Sequence, residues 1–295
     1  MNENLDTTED VVLETFTTTY GTIALNPKTD AKMVRSFAKG MYPNESLIRF
    51  ARRATTPESV VIDIGAHVGT FTVPIAGSVR SVIAFEPAPS TLAILRKNIE
   101  TNAVQVDVRT VGLSKVPGKA SVETRKTENA GANTLVSGGD IIISTLDTEV
   151  SKADFIKIDV EGMETEVLEG GGALIERSRP IVFFEINLSQ LRSHGTSPRV
   201  LERFFKERDY HLYYLIERKS EEGKLSQVNS LSLLTACIAP RAWLLGGESA
   251  PFDIIAIPKE KTPPLVVVGF SAAVVHELLN NLRVKGKRLK KAFRL

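Results

Sequence analysis

The sequence predicts an α/β protein whose sheet is mostly parallel and covered by helices on both faces. From residue 60 onward, short and almost continuously apolar segments alternate with segments of helical periodicity. This alternation is typical of parallel strands that are buried on both sides. Two strand-like segments late in the chain, separated by a long polar connection, favour an antiparallel pair at the sheet edge. The length of 295 residues, with 42% hydrophobic residues, allows one large globular domain with appendages or two small domains.

The predicted strands are runs of β-branched and aromatic residues bounded by turn residues. A hairpin is predicted over residues 11–25, and further strands over 59–65, 81–87, 104–113, 154–160, 180–186, 211–217 and 252–258. Helices are predicted over 69–77, 90–101, 162–177 and 197–208, together with an earlier helix that has Asn44 as its N-cap. Residues 117–146 are rich in Gly, Ser, Thr and Asn, which favours strands and loops over a helix.

Charge and cysteine content narrow the classes of function. The net charge is +2, but seven basic residues after position 282 leave residues 1–282 with a charge of −5. An acidic body argues against nucleic acid as the main partner. The single cysteine, Cys237, excludes an internal disulfide and is interpreted as a small buried residue in a reducing compartment. Because neither a signal-peptide pattern nor an apolar run of about 20 residues is found, we predict a cytoplasmic protein.

The C-terminal segment is basic and carries apolar residues among its positive charges. Such a segment is either simply solvated or lies against an anionic membrane surface or a protein partner. The expected organisation is an N-terminal cap of strands and a helix over 1–45, a main domain over 46–258 and the basic tail over 259–295. The residues indicate no particular oligomeric state.

A glycine-containing turn follows the first buried strand of the main domain, in VVIDIGAHVGTF. Gly65 and Gly69 bracket the turn, and the lack of a Cβ lets a backbone approach a ligand closely. Glu86 ends the next strand, 23 residues after Asp63, where an acid can accept hydrogen bonds from both hydroxyls of a ribose. A dinucleotide fingerprint would need glycine in place of His67 and a further glycine, so NAD is disfavoured. His67 is either a turn residue or a contact to cofactor or substrate.

The order of four blocks resembles the FkbM-type methyltransferase family. The blocks are VVIDIGAHVGTFT, VIAFEPAPSTLAILRKNI, FIKIDVEGMETEVLEG and PIVFFEI, and the resemblance spans about residues 40–258. It implies a Rossmann-like, mostly parallel sheet of about seven strands with an antiparallel edge strand. It also implies S-adenosyl-L-methionine (SAM) as cofactor and a hydroxyl of a sugar, polyketide or other natural product as methyl acceptor. The cofactor contacts expected on this basis are Asp63, Gly65, Ala66, His67, Gly69, Glu86, Pro87, Leu113 and Asp159.

Oxygen-bearing side chains at the ends of two later strands are the catalytic candidates. In parallel sheets these ends face the ligand, which selects Asp159 and Glu161 on one strand and Glu185 and Asn187 on the next. They can act as a base toward the acceptor hydroxyl, or Asp159, Glu185 and Asn187 can hold Mg²⁺. His194 is the histidine candidate for the base, against an exposed loop residue. The other two histidines considered, His211 and His276, are interpreted as structural.

The acids that follow in METEVLEG need a separate interpretation. Glu164 is expected in the first turn of a helix, where the helix dipole favours an acid, and a site role stays open for it. Glu166 and Glu169 fall off the apolar face of that helix and are predicted to be solvated. A second class of function, a non-catalytic module that binds SAM and is recruited through its basic tail, competes with the enzyme. The intact glycine turn and Glu86 favour the enzyme.

Overall fold

The structure of the protein is a computed structural model that describes residues 12–123, 134–216, 224–231 and 252–268. The chain forms two compact units, Met1–Pro180 and Ile181–Leu295. Cys237, His276 and the basic residues of the tail lie outside the described residues, so what the sequence predicts for them stays a prediction.

The first unit opens with a β-hairpin and continues with strands and helices in alternation. Its strands are β1 (Glu14–Thr18), β2 (Gly21–Leu25), β3 (Val60–Ile64), β4 (Ser81–Phe85), β5 (Asp107–Arg109), β6 (Gly112–Leu113), β7 (Gly118–Glu123), β8 (Thr134–Ser137), β9 (Ile141–Ser144) and β10 (Phe155–Ile158). Its helices are α1 (Ala31–Phe37), α2 (Glu45–Ala54), α3 (Thr72–Ala76), α4 (Pro89–Thr101), α5 (Leu146–Glu149), α6 (Glu164–Glu169) and α7 (Gly172–Ser178).

Four strands of the first unit run parallel, in the spatial order β10, β3, β4, β5. Their apolar side chains are buried, and β3 and β10 contribute Val61, Ile62, Ile64, Phe155, Ile156 and Ile158 to the core. Each such side chain contributes about 1.5–3 kcal/mol through burial. The register of β3 and β10 places Asp63 directly beside Lys157. The central strands therefore carry one pair of opposite charges within an apolar sheet.

The second unit has strands β11 (Ile181–Ile186), β12 (Tyr210–Ile216), β13 (Lys224–Val228), β14 (Phe252–Pro258) and β15 (Val267–Val268). Its helices are α8 (Leu188–Ser193) and α9 (Pro198–Lys206). The strands lie in the order β15, β13, β12, β14, β11. Strand β14 pairs antiparallel with both β11 and β12, and β13 pairs antiparallel with β12 and parallel with β15.

The predicted α/β class is confirmed, as is the antiparallel pairing of the segments that form β12 and β14. That pair is not at the edge of its strand set, because β13 and β15 lie beyond β12. Strand β13 falls in the connection that was interpreted as polar. Helices α1 and α8 were also not predicted. The opening hairpin is confirmed, with Thr18 opposite Gly21 across its turn.

Three local predictions need correction. The helix predicted over 162–177 is two helices, α6 and α7, with Gly170 and Gly171 between them. The strand predicted over 104–113 is broken into β5 and β6. Asn44 does precede α2, but it adopts φ 59° and its side chain makes no capping hydrogen bond. Among the described residues, no helix is long and apolar enough to cross a membrane.

Candidate functional site

The turn after β3 is held closely against the backbone that follows β10. Gly65 has φ +77°, and a Cβ at this position would lie 1.9 Å from the carbonyl oxygen of Asp159. Gly69 has φ +91°, and a Cβ there would meet the Leu95 side chain at 2.8 Å. Both glycines are therefore required by conformation and by space. The N–H groups of Gly65 and Ala66 donate to the carbonyl of Phe85 at the end of β4, each at 3.0 Å.

Asp63 is fully buried below this turn and has protein partners. Its Oδ1 lies 3.0 Å from Nζ of Lys157, and the hydroxyl of Thr72 donates to its Oδ2 at 2.5 Å. Asp63 supports the turn from beneath through a buried ion pair.

Lys157 is the residue at this site that sequence reasoning missed. Its Nζ lies 3.4 Å from Oδ2 of Asp159 and donates to the carbonyl of Gly65 at 3.3 Å. Burial by itself would lower the pKa of this ammonium group, but the carboxylates of Asp63 and Asp159 hold the pKa above its ordinary value. The signal in the sequence was a single lysine in an otherwise apolar strand, FIKI. Through these contacts Lys157 links Asp63 and Gly65, at the end of β3, to Asp159, which follows β10.

Glu86 follows β4 and is buried, with 7% of its surface exposed. One carboxylate oxygen accepts the backbone N–H of His67 at 2.9 Å, and the other accepts that of Ala88 at 2.9 Å. Burial raises the pKa of this carboxyl above its ordinary value, against the lowering effect of those hydrogen bonds. A carboxylate oxygen can accept two hydrogen bonds, so each oxygen keeps capacity for a ligand hydroxyl. Pro87, between these contacts, is half-buried.

His67 occupies the turn in a left-handed conformation, with φ +51°. Its Nε2 lies 3.2 Å from Oδ1 of Asp30, which precedes α1. The side chain is therefore turned toward an earlier part of the chain, and the backbone N–H is the group that reaches Glu86. The predicted contact of His67 to cofactor or substrate stays a prediction.

The segment after β10 turns sharply. The N–H of Asp159 donates to the carbonyl of Ile64 at 3.0 Å, and its side chain is 34% exposed. Glu161 and Gly162 are both left-handed, with φ 54° and 105°. The left-handed region is unfavourable for a residue with a Cβ, so surrounding contacts must hold Glu161 there.

One of those contacts comes from Glu164, the first residue of α6. Its Oε1 accepts the N–H of Gly162 at 3.1 Å, while its Oε2 is buried without a hydrogen-bond partner in the described part of the chain. Only 2% of Glu164 is exposed, and burial, with a smaller contribution from Asp159, raises its pKa to about 7. Its interpretation as mainly a helix-start residue favoured by the dipole was incomplete, because the preceding turn folds over it.

The next two acids of this helix differ from each other. Glu169 is exposed and lies 3.6 Å from Lys115, as a solvated residue should. Glu166 is half-buried with a buried Oε2, which corrects its prediction as a solvated residue. Leu113 ends β6 opposite Ser144 and is buried. Its predicted cofactor contact stays a prediction.

The remaining catalytic candidates belong to the second unit. Glu185 lies in β11 opposite Asp253 of β14. Asn187 caps α8, where its Oδ1 accepts the N–H groups of Ser189 and Gln190 at 3.2 and 3.4 Å. His194 follows α8 and is half-buried. The roles predicted for Glu185 and His194 stay predictions.

The donor set does not favour the predicted Mg²⁺. Across the described ranges, no three His, Cys, Asp or Glu side chains come together as a metal site. Asn187, one of the predicted ligands, already uses its oxygen in the helix cap. His211 pairs its Nδ1 with Gln227 at 3.3 Å, in agreement with a structural role.

At one end of the parallel strands, Lys157 links Asp63, Gly65 and Asp159, and the backbone of His67 in the same turn binds Glu86. A family model for the methyltransferase FkbM domain matches residues 63–212, which include all of these residues. The chain belongs to the FkbM methyltransferase family. The resemblance inferred from the four blocks is therefore confirmed.

One curated relative of this FkbM-family chain is the hexuronic acid methyltransferase AglP of Haloferax volcanii. It is 32% identical over 136 residues, which cover 43% of this chain and 55% of AglP. The chain thus spans about half the length of the curated relative it matches.

Two solved structures are among those similar to this chain. The methyltransferase FkbM of Methylobacillus flagellatus KT is 17% identical with a TM-score of 0.38, covering 57% of this chain and 42% of that one. An rRNA methylase of Streptococcus thermophilus is 14% identical with a TM-score of 0.43, covering 73% of this chain and 96% of that one.

Proposed function

We propose that this protein is a SAM-dependent methyltransferase that methylates a hydroxyl group of a sugar or another natural product. The observation that carries the proposal is the burial and orientation of the Glu86 carboxylate. It is a buried carboxylate directly beside the glycine turn, and its two oxygens are oriented by backbone N–H groups of His67 and Ala88. A ligand with two neighbouring hydroxyls, such as a ribose, matches the remaining acceptor capacity.

The residues present fit SAM as the group to be held. The glycines let the turn pack closely against Asp159 and Leu95, and Glu86 beside the turn supplies the ribose acceptor. When bound, SAM supplies a methyl group on a positively charged sulfur. The neighbouring charges of Asp63, Asp159 and Lys157 sum to one negative charge, which suits a cationic ligand.

The protein's own contribution to methyl transfer is to orient the acceptor and to take up its hydroxyl proton. Asp159 and Glu161 are the candidate acceptors of that proton in the first unit. Oδ2 of Asp159 lies 3.4 Å from Nζ of Lys157 and is held in that ion pair. Glu161 is the better candidate, since the left-handed turn fixes its position two residues after Asp159.

A sugar acceptor is supported by the name of the relative AglP, a hexuronic acid methyltransferase. The competing proposal, a non-catalytic module recruited by its tail, has no support from the described residues. Methyl transfer from labelled SAM should be measured with a glycan that ends in a hexuronic acid and with the matching glycan that ends in a neutral hexose. Transfer to either one supports O-methylation of a sugar, and the hexuronic acid is the expected substrate. Absence of transfer to both would remove the sugar proposal.

Cofactor binding is tested independently of the acceptor. Calorimetric titration with S-adenosylhomocysteine is expected to show one site, while NAD as control is expected to show none. Binding of NAD instead would make the protein a different class of enzyme.

A further inference from the structure

The N-terminal segment (residues 12–44) precedes the stretch that matches the family model, yet it contacts the site. We call residues 65–71 the cofactor loop. Three buried groups join the N-terminal segment to this loop, and each acts on a different part of it.

The first is Asn98 of α4, which is fully buried. Its Oδ1 accepts the N–H of Ala24 at 2.7 Å, and its Nδ2 donates to the carbonyls of Ala24 at 3.1 Å and Val68 at 2.8 Å. One amide therefore binds β2 and the cofactor loop together. One helical turn later, Asn102 binds both backbone groups of Thr22 at 2.8 and 2.7 Å. Each of these two side-chain amides bonds to both the N–H and the carbonyl of one residue in β2, as a neighbouring strand would. Together they hold the hairpin against α4.

The second is Tyr42, which is 9% exposed. Its hydroxyl donates to the carbonyl of Thr70 at 3.0 Å. Thr70 lies in the cofactor loop immediately before α3, so this bond fixes the far end of the loop.

The third is Asp30, which is 1% exposed. Its Oδ2 accepts the N–H of Asn26 at 3.1 Å, while its Oδ1 faces Nε2 of His67 at 3.2 Å. These last two atoms are shut off from solvent, and neither has a hydrogen-bond partner of good geometry among the described residues. The carboxylate oxygen and the ring nitrogen therefore lie at ion-pair distance, in a geometry that is not that of a hydrogen bond. Because the N–H of His67 donates to Glu86, Asp30 acts on the ribose acceptor through one residue.

We propose that the N-terminal segment presets the cofactor loop before any ligand binds, with Asp30, Tyr42 and Asn98 as positioning residues. The ordering of the loop follows from these contacts alone, whereas the effect of that ordering on affinity rests on the proposed function. A loop that is already ordered loses little conformational freedom when a ligand binds, so preordering raises affinity.

The statement about the loop is tested by hydrogen exchange of the ligand-free protein. Asp30→Asn and Tyr42→Phe are expected to speed exchange of the amides of residues 65–71 by about tenfold, with residues 60–64 unchanged. Tyr20→Phe is the matched control for the tyrosine, since its hydroxyl donates to Glu45, outside the loop, at 3.2 Å. Asp140→Asn, at an exposed aspartate, is the control for the acid. Loop exchange unchanged from the controls would overturn the proposal.

The coupling is tested by a double-mutant cycle on the affinity for S-adenosylhomocysteine. Asparagine is the replacement at His67 because it tolerates a left-handed backbone. Asp30→Asn and His67→Asn should each weaken binding about fivefold or more, and the double variant should bind no worse than the weaker single one. Effects that multiply, or no effect at Asp30, would overturn the link through His67. If the unaltered protein bound no S-adenosylhomocysteine, the proposed function would fail while the exchange experiment still decided the role of the segment.

Discussion

The ammonium group of Lys157 lies 3.0 Å from Oδ1 of Asp63, and both side chains are almost completely buried between β3 and β10. A buried ion pair is a weak source of net stability, but losing one partner leaves the other charge without compensation. This relationship leads to the first prediction.

Lys157→Met should lower the free energy of unfolding by about 3–5 kcal/mol, because Asp63 would remain buried without its counterion. Lys115→Met is the matched control, since the pair of Lys115 and Glu169 is exposed and should contribute less than about 1 kcal/mol. Denaturant titration measures both. Equal effects of the two substitutions would show that the buried pair is not needed for stability.

Gly65→Ala should be severely destabilising, by more than about 3 kcal/mol, because the added Cβ would lie 1.9 Å from the carbonyl oxygen of Asp159. Gly77→Ala provides the control: Gly77 has φ −80° and no atom within 4 Å of the new Cβ. That change should stay within about 0.5 kcal/mol or stabilise slightly. Thermal or denaturant unfolding of the two variants decides the point, and a mild effect at Gly65 would contradict the close approach of the two backbones.

Glu164 should make stability depend on pH in a defined direction. Its pKa in the folded protein is about 7, against an ordinary value of 4.5. Between these values the unfolded chain has lost a proton that the folded protein retains, so this group lowers stability as pH rises from 4.5 to 7, and the loss is constant above pH 7. The full effect is about 3 kcal/mol.

Glu164→Gln removes that ionisation and keeps an oxygen for the N–H of Gly162. The variant should therefore gain up to about 3 kcal/mol over the unaltered protein between pH 4 and pH 8. Glu169→Gln, at an exposed position, should show no such trend. Unfolding titrations at several pH values provide the comparison, and parallel curves for Glu164→Gln and the unaltered protein would contradict the burial of this carboxyl.

Much of the fold could be predicted because the parallel strands are short apolar runs between turn residues. The glycine turn was also predictable, since glycine at positions 65 and 69 indicates a close backbone approach that a residue with a Cβ would block. Lys157 could not be paired with Asp63 from sequence, because nothing in FIKI states which neighbour or register the strand adopts. The break between α6 and α7 falls at Gly170, which packs against Ser114, a residue distant in sequence.

The acids of DVEGMETEVLEG show where periodicity fails. The helical periodicity correctly predicted that Glu169 is solvated, because that residue lies beyond the first turn of α6. Glu164 was interpreted from its place in the first turn of the helix, but its burial also involves the left-handed turn at Glu161 and Gly162, which periodicity does not contain. The link between His67 and Asp30 was missed for another reason: α1, which follows Asp30, has no strong pattern and was not predicted.

The most direct test of the account is the affinity of the unaltered protein and of Glu86→Ala for S-adenosylhomocysteine, measured by calorimetry. Removing Glu86 deletes two hydrogen bonds to a charged acceptor, each about 1.5–3 kcal/mol, so binding should weaken at least about 100-fold. Glu58→Ala, at an exposed acid, should bind like the unaltered protein. No binding by the unaltered protein would contradict SAM as cofactor, and equal binding by Glu86→Ala would contradict Glu86 as the ribose acceptor.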